Sequence, residues 1–131
     1  MRLSPDSADS FGLESIELMR RAMMPMDAWQ ADSITAMLAV KADGKWACVE
    51  YCEWVSRQNA KGCLLEARAL TGLLLIGEQL IGERLIMWSA HEYKTAMKSF
   101  RRVIWLVGRL GVQQQPVRRR RRTPQGDQHE R

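Results

Sequence analysis

Val55-Ser56-Arg57-Gln58-Asn59-Ala60-Lys61-Gly62 separates two segments of opposite character. Before it, Trp46-Ala47-Cys48-Val49-Glu50-Tyr51-Cys52 is rich in β-formers and is bounded by Gly44 and by a polar run, a pattern that predicts a strand over residues 46–52. After it, residues 61–75 are dominated by Leu and Ala, apolar on most faces, as in a largely buried helix packed against a sheet. A loop leaving a strand and entering a helix turns backbone amides and the helix N-terminus toward one point, which is where a phosphate-binding loop lies. Set against G-x-x-x-x-G-K-[ST], Val55 replaces the first Gly, Ala60 the second and Gly62 the hydroxyl residue, so Lys61 alone agrees. Read by themselves, Arg57 and Lys61 are solvated loop charges.

Downstream, Leu85-Ile86-Met87-Trp88 is a continuous apolar run, the mark of a strand covered on both faces. Tyr93, Ala96, Met97, Phe100, Val103, Ile104 and Val107 then fall at i, i+3, i+4 and i+7 spacing, predicting a helix that Gly108 and Gly111 end. Upstream, Leu13, Ile16, Leu18 and Met19 recur at near-helical spacing over residues 13–23, and Pro25 forbids continuation. Asp27 with Gln30 three residues later has the form of a capping box opening a second helix, whose apolar face is Ile34, Met37 and Leu38 and whose following loop holds Gly44. Strand, loop, helix, strand, helix is the order of an α/β fold with a parallel sheet and right-handed crossovers, although two strands make only part of a sheet.

Two segments stand outside this order. Leu75-Ile76-Gly77-Glu78-Gln79 is followed by its near copy Leu80-Ile81-Gly82-Glu83-Arg84, which predicts a bulging loop. After Gly111 the composition changes to Gln113-Gln114-Gln115-Pro116 and then five consecutive Arg, Arg118 to Arg122, without apolar periodicity, which predicts a disordered tail. That tail carries six Arg against Asp127 and Glu130, a net +4 of the chain's +5, so residues 1–112 are nearly neutral at +1.

With 131 residues and 46% apolar composition, the chain holds one modest core, to which five Trp and eight Met contribute. Cys48, Cys52 and Cys63 lack the paired spacing of a zinc site, and Cys48 and Cys52, four apart in the expected strand, read as buried, reduced thiols. The N-terminus has no apolar leader, and apolar runs such as residues 73–76 are far too short to span a bilayer, so a cytoplasmic protein without a membrane partner is expected. His91, just after the second expected strand, reads as structural.

Four motifs carry a resemblance to a known family: Asp27 to Gln30, Ser56 to Gly62, Leu65-Glu66-Ala67-Arg68-Ala69-Leu70, and Ser89 to Ala96. Together, over residues 6–111, they resemble the N-terminal ATPase region of tailed-phage large terminases of the actinobacteriophage branch. The resemblance implies an α/β, P-loop ATPase-type three-layer fold, here partial, with parallel strands and flanking helices. Residues 1–26 would be a helical lead-in, 27–111 the partial ATPase domain and 112–131 a basic tail. It further implies ATP and Mg²⁺ as cofactors, and double-stranded phage DNA, a portal protein and a small terminase subunit as partners. Lys61 would neutralise the β- and γ-phosphates and Arg57 would add a second cation, within a loop comprising Arg57, Gln58, Asn59, Ala60, Lys61 and Gly62. Gln30 would read adenine beside Trp29, or serve only in the capping box.

The sequence departs from that pattern in three places. Ala60 stands where the family has Gly, and its Cβ opposes a positive φ, which implies weakened nucleotide binding. Gly62 has no hydroxyl for Mg²⁺. No apolar strand ending in Asp-Glu and no acidic nuclease cluster occurs in the 131 residues, so an ATPase/endonuclease activity would be incomplete. The alternative expectation is a non-enzymatic remnant with a frameshifted tail, or a nucleic-acid-binding protein acting through Arg118 to Arg122.

Overall fold

A computed structural model describes residues 6–56, 60–75 and 85–111. Among these the fold is mixed α/β and mostly helical. A short strand β1 (Asp9–Ser10) leads into α1 (Gly12–Arg21), then come α2 (Ala28–Met37), β2 (Ala39–Val40), α3 (Lys61–Leu74) and α4 (Tyr93–Arg109).

Local chemistry explains each boundary. Glu14 lies in the first turn of α1 and Arg20 and Arg21 in its last, each matching the helix dipole. Met23 then turns left-handed at φ 61°, with Met23 N–H donating to the Arg20 carbonyl (3.0 Å) and Met24 N–H to the Met19 carbonyl (2.9 Å). These two bonds form a Schellman closure, completed before Pro25. At the start of α2, the Asp27 N–H donates to Gln30 Oε1 at 2.9 Å, the reciprocal half of the expected capping box. Gly44, at φ 80°, turns the chain after β2, and its N–H donates to the Lys41 carbonyl at 3.0 Å.

Helix α3 is the hub, packing against α1, α2 and α4. Met19, Ile34, Leu38, Leu64, Leu70 and Leu106 are fully buried in the common core, each worth about 1.5–3 kcal/mol of transfer free energy. Within it the hydroxyls of Ser15 and Thr71 share a 2.7 Å hydrogen bond, and Thr71 Oγ1 also donates to the Ala67 carbonyl at 2.8 Å. Gly12 lets α1 meet α2 closely: a Cβ there would lie 2.6 Å from Thr35 Cα.

The sheet differs from expectation. It has two strands, β1 and β2, paired antiparallel with Asp9 opposite Val40 and Ser10 opposite Ala39. The stretch expected to be a strand over 46–52 contributes one bridge, Trp46 to Val40, and one further bond from Ala47 N–H to the Ala39 carbonyl at 2.9 Å. A two-residue β2 offers no more ladder groups, so beyond Ala47 the chain leaves the sheet, with Val49 and Trp54 exposed. Residues 85–88 likewise form no ladder among the described residues. Ile86 and Trp88 are half-buried while Leu85 and Met87 face outward, the alternation of an extended segment laid along α3 rather than of a strand covered on both faces. The parallel βαβα arrangement is therefore not formed by the described residues.

Both later helices follow the expected spans, although Gly108 stays helical and Gly111, at φ 71°, ends α4. The five-residue repeat falls mostly on residues 76–84 and the basic tail on 112–131, outside the described residues. No described helix is long and apolar enough to cross a membrane.

Candidate functional site

The site is built at the N-terminus of α3. Ala60 is its N-cap residue and adopts φ 51°, ψ 25°, the left-handed conformation usually left to Gly. Lys61 is the first helical residue and is exposed, and no acidic residue occupies the first turn. Gly62 follows, with nothing within 4 Å of where a Cβ would stand. The Cys63 N–H donates to the Ala60 carbonyl at 3.0 Å, while a helix start leaves the Lys61 and Gly62 amides without intrahelical acceptors. Two amides without intrahelical acceptors, a helix dipole and an ammonium group thus concentrate positive potential at one end of α3. Arg57, Gln58 and Asn59 lie outside the described residues.

Gln30 is brought to this site from α2. It is 3% exposed, and its Nε2 donates to the Ala60 carbonyl at 3.2 Å while Oε1 accepts from Asp27 N–H. Its amide therefore joins two backbone segments, and contact with a nucleobase would require one of those bonds to give way. Trp29 is half-buried against the core. His91 is exposed, one residue before the N-cap of α4.

A second cluster, which sequence reasoning missed, lies one turn along α3. Glu66 is buried, and its Oε2 sits 2.8 Å from Arg102 Nε on α4, although the two are not aligned as a hydrogen bond. Arg102 also reaches Met24 Sδ at 3.8 Å through Nη2. Burial pushes the Glu66 carboxyl above its ordinary value, with Arg102 opposing the shift. The Cys63 thiol is raised by burial first and by Glu66 second. Glu66 carried no local signal of this partner, because its neighbours on α3 say nothing about which residue of α4 will face it.

Cys48 and Cys52 were expected to be buried, but Cys48 is half-buried and Cys52 exposed, because the segment holding them leaves the sheet, while Cys63 on α3 is buried. Among the described residues no three His, Cys, Asp or Glu side chains converge on a point where a metal ion could sit. The start of α3 has Gly62 where a hydroxyl ligand would stand, so that position supplies no side-chain oxygen for Mg²⁺. A cavity of about 520 Å³ lies between α3 and residues 85–89, lined by Leu65, Arg68 and Ala69 on one side and by Leu85 to Ser89 on the other. No protein-family model matches the chain, and neither a curated protein nor a solved structure matches it.

Proposed function

We infer that this chain is the nucleotide-binding N-terminal segment of a tailed-phage large terminase, holding the phosphates of ATP at the start of α3. The observation that carries the reading is the junction itself: an exposed Lys61 opens a helix directly after a left-handed N-cap, with amides that lack intrahelical acceptors and no acid in the first turn. Lys61 supplies charge-assisted contact to the β- and γ-phosphates, as the P-loop lysine of the resembled family does, and Arg57 is assigned the second cation. The P-loop ATPase-type three-layer arrangement and the partners (duplex DNA, portal protein and small terminase subunit) belong to the same proposal.

Phosphate binding is the activity assigned to these residues, and no hydrolytic step is derived from them. Titration of the full chain with ATP should give saturable binding that Lys61→Ala abolishes, measured by calorimetry. Equal binding by wild type and Lys61→Ala would sink the assignment.

A further inference from the structure

The near-neutral charge of residues 1–112 hides a segregation. Helix α4 carries Lys94, Lys98, Arg101, Arg102 and Arg109 and no carboxylate, whereas residues 1–92 carry nine Lys and Arg against thirteen Asp and Glu. At about 100° per residue, Lys94, Lys98, Arg101 and Arg109 fall within an arc of about 80°, with Trp105 inside it and the buried Val103 and Leu106 turned away. Trp105 is 50% exposed, and the Arg109 guanidinium stands 4.6 Å from its ring centroid. Among the described residues, Lys94, Lys98 and Arg101 have no carboxylate in ion-pair range. A groove of about 440 Å³ runs beside this face, lined by Met24, Arg101, Arg102 and Trp105.

We propose that this face of α4 binds single-stranded nucleic acid, its phosphates running along Lys94, Lys98 and Arg101 and an unstacked base resting on Trp105 in the groove. Cations on successive turns, about 6 Å apart, match a polyanion rather than a single charge. The indole decides for a single strand. A half-exposed aromatic ring among cations is a stacking platform, and only a base outside a duplex can use it. An anionic bilayer would need a broad free apolar face. Here that face is turned to α3, leaving only a narrow strip around Tyr93, Phe100 and Ile104. The charge distribution and the groove carry this assignment independently of nucleotide binding at Lys61, so either can fail alone.

The test uses the full chain, so that the arginines of residues 118–122 are common to every variant. Fluorescence anisotropy would follow a labelled oligothymidylate, the matching duplex and phosphatidylserine vesicles over a range of salt. The single strand should bind most tightly. The triple variant Lys94→Gln, Lys98→Gln, Arg101→Gln should make the slope of log affinity against log salt shallower by about 2, at about 0.7 per phosphate. Trp105→Ala should weaken single-strand binding by about tenfold with the slope unchanged, and Trp105→Phe, which keeps a ring, should retain most of it. Unchanged binding by the triple variant overturns the proposal. So does a duplex bound as tightly as the single strand without dependence on Trp105, a Phe variant as weak as the Ala variant, or vesicle binding in place of oligonucleotide binding.

Discussion

Ala60 and Met23 both hold the left-handed conformation with a side chain, at φ 51° and φ 61°. For a non-glycine residue that costs about 1–2 kcal/mol, part of which replacement by Gly would return, less the added freedom of the unfolded chain. Ala60→Gly and Met23→Gly should therefore each raise stability by about 0.5–1 kcal/mol, read as a shift in the urea midpoint at constant m. They should part company on ligand binding. Ala60 abuts the amides proposed to hold phosphate, so Ala60→Gly should also tighten ATP, whereas Met23→Gly, at the far side of the α1 closure, should leave it unchanged. Tightening by both, or by neither, would separate the left-handed N-cap from the phosphate site. The requirement at Ala60 was legible in the sequence because a glycine was expected there. That at Met23 was not, since nothing around Met23 except Pro25 marks a helix end.

Among the elements, three helices were readable because each carries its own signal, Pro25 after α1, the Asp27 and Gln30 pair at α2 and the apolar spacing of α4, and α3 was readable from its Leu- and Ala-rich composition. The strands were not, because strand formation depends on partners that a local pattern cannot name. Residues 46–52 have the composition of a strand, yet only Trp46 finds a bridge, since β2 is two residues long. Helix contacts have a similar blind spot at Gly12, which nothing in the sequence distinguishes from a loop glycine. In the structure it permits the crossing of α1 on α2, fastened by Ser10 Oγ donating to the Thr35 carbonyl at 2.6 Å. Gly12→Ala should improve helix propensity and still destabilise by about 1–3 kcal/mol, because the new Cβ meets the Thr35 backbone rather than a flexible side-chain end. A urea midpoint unchanged or raised in Gly12→Ala would show that the two helices can part without cost.

For the molecule as a whole, the attachment of α4 to α3 makes stability depend on pH. Glu66 is 3% exposed on the buried side of α3, and its carboxyl is raised by desolvation, with Arg102 pulling the other way. A carboxyl raised in the fold keeps its proton longer than in the unfolded chain, so its contribution is complete below its ordinary value of 4.5 and is lost as pH rises through the raised value. Arg102 limits that loss. Removing it in Arg102→Gln strands a buried carboxylate, which should cost about 2 kcal/mol at about pH 8, below the full cost of breaking a buried pair because Arg102 is partly exposed. At about pH 4, with Glu66 protonated, the deficit should nearly vanish. Glu66→Gln removes the titrating group, so it should flatten this part of the profile and be neutral or stabilising at about pH 8. The other carboxylates titrate alike in all three proteins and cancel in the differences, so urea unfolding at the two pH values isolates the pair. Should Arg102→Gln lose the same stability at both, Arg102 would be holding α4 through its packing on Met24, and the charge of Glu66 would have no part in joining the two helices.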